Sequence, residues 1–236
     1  MRGMVQDIYF LGHFLLAELI GRIPLARTRK PAIDGLARLS RRVSAKKRLR
    51  VESNVELAFG PELSHERKKQ ITLGSFREFW REIVDWVPGS DGACPGETPI
   101  QGLQNLEKAL ALGKGVILWE SNGFSRRIRG KQVLHAHGIE VYQTHGVTHL
   151  GVMDASGSSG SWLRTRFLRP LYERREMRFV AGIIHVPLDA SPSSALAYMQ
   201  VLRRNQILCL AGDGPIAQTL HPVRLLGRTV GLAPGA

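Results

Sequence analysis

The rhythm of apolar and polar positions changes near residue 100. Before it, Ile71, Leu73, Phe76, Phe79, Trp80, Ile83, Val84 and Val87 recur mostly at helical intervals. Ser64-His-Glu-Arg precedes this run and reads as its N-terminal cap. Residues 33–87 therefore read as helical, with Asp34 placed to cap a helix through Val43. The segment from Pro88 to Gly96, rich in Gly and Pro, ends the run as a loop.

After residue 100, short apolar runs alternate with helical stretches. Leu103–Leu112 reads as a helix stopped by Gly113, and Gly115–Glu120 as a short strand. Ser125–His137 is a helix closed by Gly138, and Ile139–Thr144 is a second strand. Trp162–Met177 reads as a basic helix, Phe179–Leu188 as a strand, Ser193–Arg204 as a helix and Ile207–Ala211 as a strand. Pro222–Val230 reads as a strand pair around Gly227. Strands that alternate with helices need crossover connections, so the class is α/β, with a mostly parallel sheet buried on both faces and flanked by helices. Residues 154–161, rich in Gly and Ser, read as a mobile loop of the kind that can serve as a lid. The apolar end at Gly231–Ala236, straight after a strand, leads us to expect further chain beyond it.

Charge adds a second feature. The chain carries a net charge of +13, which calls for an anionic partner. From Arg22 to Arg50 there are 11 basic residues and one acid, Asp34. Just before this block lies an apolar stretch, Ile8–Ile20, only 13 residues long and interrupted by His13 and Glu18. A bilayer-crossing helix needs roughly 20 apolar residues, and no small-residue cleavage site of a secretory signal follows. We read the stretch as a helix lying against a membrane surface, with the Lys/Arg cluster meeting anionic lipid headgroups. Residues 1–50 then form a membrane-associating region and residues 51–236 the α/β domain. The basic block lacks interleaved aromatics and a recognisable nucleic-acid motif, so no nucleic-acid partner is expected. Two cysteines, Cys94 and Cys209, exclude a disulfide scaffold or a Cys-rich zinc module.

In open parallel sheets ligands bind at the carboxyl ends of the strands. Three such ends carry polar side chains: Glu120-Ser-Asn-Gly-Phe-Ser-Arg-Arg127, Thr144-His-Gly-Val-Thr-His149 and Gly212-Asp-Gly-Pro215. A carboxylate that closes an apolar strand loses solvation, which suits Glu120 to general-base work, or else it caps the next helix. The turn at Asn122 and the start of that helix offer N–H groups for an oxyanion or phosphate. Arg126 and Arg127 sit in the first turn, where they oppose the helix dipole unless an anion lies nearby. His145 is a second candidate base, entering from a loop. His145 and His149 lack a clear third partner for a metal. Asp213 is either a turn residue or a site residue. Arg174, with Arg164, Arg166, Arg169 and Arg175, suits phosphate contact or forms an exposed basic face.

Taken in order, several segments resemble the bacterial lipid A biosynthesis acyltransferases, the lauroyl/myristoyl transferases related to lysophospholipid acyltransferases. These segments are Arg50–Phe59, Ser64–Trp80, Ile100–Glu107 with Gly113–Leu118, Leu202–Asp213 and Pro222–Gly231. The resemblance implies an enzyme at the cytoplasmic face of the bacterial inner membrane. It would move a fatty acyl group from an acyl carrier protein or coenzyme A thioester to a hydroxyl of a glycolipid or phospholipid, with no bound cofactor and no metal. It also implies a motif of His, four residues, then Asp or Glu, in which the His takes the acceptor proton and the acid orients it. This chain departs at both ends: Glu120 stands at the His position and Ser125 at the acid position. Three readings follow: Glu120 is the base itself, His145 takes over, or the protein is an inactive relative that binds acyl lipids. An active enzyme requires an apolar groove opening beside Glu120.

Overall fold

A computed structural model of the chain describes residues 2–23, 26–87, 95–120, 127–146, 166–167, 169–186, 192–211, 221–225 and 228–232. The described residues form α1 (Arg2–Gly21), α2 (Ala26–Val43), α3 (Ala45–Phe59), α4 (His65–Asp85), α5 (Leu103–Ala111), β1 (Val116–Glu120), α6 (Arg127–Ala136), β2 (Val141–Gly146), α7 (Arg169–Glu176), β3 (Gly182–Val186), α8 (Pro192–Arg203), β4 (Ile207–Ala211), β5 (His221–Leu225) and β6 (Arg228–Leu232). The chain divides into two compact units. One comprises Met1–Phe14, Ala93–Asp213 and Ala236, and the other Leu15–Gly92 with Gly214–Gly235.

The second unit is built on helices. Ser64 caps α4 as its sequence requires, with its Oγ accepting from the Arg67 N–H at 3.3 Å. Glu66 in the first turn adds a favourable charge at the positive end of the helix dipole. Phe76, Trp80, Ile83 and Val84 then fall on one face and pack with Ile33 and Ala37 of α2 and Ala17 and Ile20 of α1. Trp80 satisfies its buried indole N–H on Ser40 Oγ at 2.9 Å. Asp34 does not cap a helix. Helix α2 begins at Ala26, and Asp34 lies inside it, where it accepts from Arg77 of α4 at 2.5 Å.

The basic block is not one solvated cluster. Arg29 is buried, and Lys47 lies over the rings of Phe79 and Phe76, 3.4 and 5.2 Å from their centroids. The ring faces attract the ammonium. Burial, aided by the nearby Arg50 charge, nevertheless outweighs them and lowers Lys47 to about 8. Arg38, Arg42 and Lys46 are exposed, as are Leu15, Leu16, Leu19, Leu39, Val43 and Leu49. Among the described residues no helix is long and apolar enough to cross a membrane. In the same unit β5 and β6 pair antiparallel, as the strand pair in the sequence predicts.

The other unit holds a four-stranded, all-parallel sheet in the order β1-β4-β2-β3. Gly138 closes α6 at φ +74°, a left-handed conformation that a side chain would strain. Gly115 starts β1 at φ +72°, and a Cβ there would lie 2.6 Å from the Leu202 backbone. Leu106, Leu110 and Leu134 of α5 and α6 pack on Val116, Leu118, Val141, Ile207 and Cys209, covering one face of the sheet. Tyr198, Val201 and Leu202 of α8 pack with Leu208 and Leu210 from the other. The sheet is not buried on both faces throughout: in edge strand β1, Ile117 and Trp119 are 46% and 53% exposed.

Candidate active site

Parallel pairing brings the carboxyl ends of the four strands to one edge. Glu120 lies opposite Ala211, and His145 opposite His185. Side chains alternate along a strand, so Glu120 shares a face with Val116 and Leu118, the face that α5 and α6 cover. Polar groups from four elements converge there. Lys131 of α6 lies with Nζ 3.3 Å from Glu120 Oε1 and 3.0 Å from Glu176 Oε1 of α7. The other Glu176 oxygen accepts from His145 Nε2 at 2.7 Å. His145 Nδ1 lies 3.8 Å from Glu173 Oε1, one helical turn before Glu176.

This line of charges is deeply placed. Lys131, Glu176 and His145 are buried, whereas the Glu120 side chain is 15% exposed. Among the described residues Lys131 faces two carboxylates, Glu120 and Glu176, and His145 lies between Glu176 and Glu173. Charges in such a place persist only when paired, and here each carboxylate has a basic neighbour. Glu120 is therefore not a lone carboxylate in an apolar site. Its Oε1 faces the ammonium, and its Oε2 has no hydrogen-bond partner among the described residues.

Cys209 on β4 reports the same charges. Burial first, then the Glu120 and Glu176 charges, push its thiol up to about 12, with Lys131 opposing. An unfolded cysteine titrates near 9. The protonated thiol thus contributes stability that is fully present below pH 9 and is lost as the pH climbs toward 12. Three pH units correspond to about 4 kcal/mol. Denaturant unfolding of the wild type and Cys209→Val should therefore diverge between pH 9 and 11, with only the wild type losing this increment. Parallel curves would contradict it.

His145 does not enter from a loop. It belongs to β2, which runs on to Gly146 because its ladder with β3 continues past Thr144. Arg174 is exposed on α7, while Arg175 sets its guanidinium carbon 5.5 Å from the Phe14 ring centroid. Arg127 opens α6. Asn122, Ser125, Arg126, His149 and Asp213 lie outside the described residues, as do residues 121–126 that follow Glu120 and the expected groove. The sequence reading missed Lys131, Glu173, Glu176 and His185. The one available signal was the pair of acids, three apart, within an otherwise arginine-rich helix.

Two comparisons bear on identity. No curated protein matches the chain. The family model described as bacterial lipid A biosynthesis acyltransferase matches residues 4–125, a stretch that includes both Glu120 and Ser125. With just over half of its length matched, the chain belongs to the bacterial lipid A biosynthesis acyltransferase family.

Proposed function

We propose that this protein is a membrane-associated O-acyltransferase, with Glu120 in place of the family's histidine as the base. It moves a fatty acyl group from an acyl carrier protein or coenzyme A thioester to a hydroxyl of a glycolipid or phospholipid. One observation carries the reading: Glu120 ends β1 with one oxygen held by Lys131 and the other without a hydrogen-bond partner among the described residues. In the reaction, Oε2 takes the proton of the acceptor hydroxyl as that oxygen attacks the thioester carbonyl carbon. The carbon–sulfur bond then breaks, and the thiolate leaves with the proton that Glu120 returns. Lys131, Glu176 and His145 position the carboxylate, and Ser125 stands where the family has its orienting acid. Asn122, Arg126, Arg127, Arg174 and Asp213 are the proposed substrate contacts.

The test is purified full-length protein given acyl-coenzyme A or acyl carrier protein donors with mixed glycolipid and phospholipid acceptors. The reading expects thiol release together with a new ester of matching mass. No thiol release from either donor would favour the second reading, an inactive lipid-binding relative in which the Glu120–Lys131 pair is structural.

The location we propose is the cytoplasmic face of the bacterial inner membrane, on anionic lipids. Exposed Arg38, Arg42 and Lys46, with exposed Leu39, Val43 and Leu49, support it. Deleting residues 1–50 would remove core residues Ala17, Ile20, Ile33 and Ala37, so charge removal is the cleaner test. At about 1 kcal/mol per basic residue near the surface, changing Arg38, Arg42 and Lys46 to alanine should weaken binding to anionic vesicles by about 100-fold. Binding to neutral vesicles should change little. Equal loss on both would contradict an electrostatic contribution.

A further inference from the structure

We propose that His145, Glu173 and His185 bind one divalent metal ion with the preferences of zinc at the carboxyl ends of β2 and β3. The ligand atoms of these three residues all lie within 4.8 Å of one another. The arrangement follows from the topology. The β2–β3 ladder sets His145 beside His185, with ring centroids 5.9 Å apart. Helix α7, on the crossover between those strands, brings Glu173 Oε1 to 3.8 Å from His145 Nδ1.

The surroundings fit a ligand role. A metal-binding histidine characteristically donates its other ring N–H to a carboxylate, which fixes tautomer and orientation. Here Nε2–H donates to Glu176 at 2.7 Å, and Nδ1 lies on the side of Glu173, 3.8 Å from its Oε1. Two imidazoles and a carboxylate are a zinc ligand set that leaves a fourth position to water. Zinc bonds of about 2.0–2.2 Å place tetrahedral ligand atoms roughly 3.3 Å apart, so small side-chain rotations close the site. His145 is buried, Glu173 partly exposed and His185 exposed, which gives an ion a route from solvent.

The proposal is independent of acyl transfer and is read without any turnover. Chelator-treated full-length protein is titrated with cobalt(II), then with zinc(II). One equivalent of cobalt should bind with the visible bands of a four-coordinate ion, and zinc should displace it. Glu173→Gln and His185→Gln, the second at an exposed position that folding tolerates, should each weaken binding at least about tenfold. Their melting temperatures without metal should stay at the wild-type value, and His65→Gln, an exposed histidine on α4, should bind as the wild type does. Absence of stoichiometric cobalt binding, or binding unchanged in His185→Gln, would overturn the proposal. So would ring-nitrogen NMR showing His145 doubly protonated between Glu173 and Glu176 and unmoved by zinc.

Discussion

Lys131→Met is expected to lower folding stability by about 3–5 kcal/mol, the cost of stranding a buried charge. Lys131 and Glu176 are essentially inaccessible to water, and the lysine lies within 3.3 Å of two carboxylates. Methionine fills the volume but removes the ammonium that faces both Glu176 and Glu120. A domain is typically stable by about 5–15 kcal/mol, so such a loss is a large fraction of the whole. Lys131→Met with Glu176→Gln should recover part of it, because the fully buried Glu176 charge is then no longer stranded, while the partly exposed Glu120 still lacks its ammonium. Denaturant midpoints of the two variants and the wild type check this. A single variant within about 1 kcal/mol of the wild type would show that water or side-chain motion reaches the lysine, contrary to its burial.

Glu120→Gln should lower turnover by about 10²–10⁴-fold, the usual contribution of a positioned general base. Glutamine keeps the shape of the side chain and can still place an oxygen near Lys131, but it cannot accept the acceptor's proton. The loss should therefore fall on the chemical step and leave lipid binding in place. Some loss of stability is expected too. It should be smaller than for Lys131→Met, because Glu120 is partly exposed and Glu176 remains to compensate the ammonium.

What was legible in the sequence was what neighbours in the chain decide. Ser64 caps α4 and Phe76, Trp80, Ile83 and Val84 share its inner face because both features are set within a few residues. Gly113 and Gly138 mark helix ends for the same reason, and the alternation of apolar runs with helices was enough to give the α/β class. Asp34 was misplaced because its partner, Arg77, lies 43 residues away. The sequence reading ended β2 at Thr144, two residues short, because His145 is polar yet buried. Tertiary partners meet the buried polar groups there: Thr144 Oγ1 donates to the Cys209 carbonyl at 3.0 Å, and His145 Nε2 donates to Glu176.

The candidate site divides in the same way. Glu120 was visible as the carboxylate at the end of an apolar strand, and the family motif aligned on it. Lys131 and Glu176 sit on helices where charged residues ordinarily face water, and no local pattern distinguishes a buried lysine from a solvated one. Only the folded sheet, which brings α6 and α7 over β1 and β2, turns them into a connected line of charges.

The account rests on Glu120 as the group that accepts the proton. The most direct measurement follows thiol release from an acyl thioester, alongside vesicle binding, in wild-type and Glu120→Gln protein under the same conditions. The account predicts lipid-dependent thiol release by the wild type, its loss in the variant, and equal vesicle binding by both. Undiminished thiol release by Glu120→Gln would contradict it and move the base elsewhere in the site.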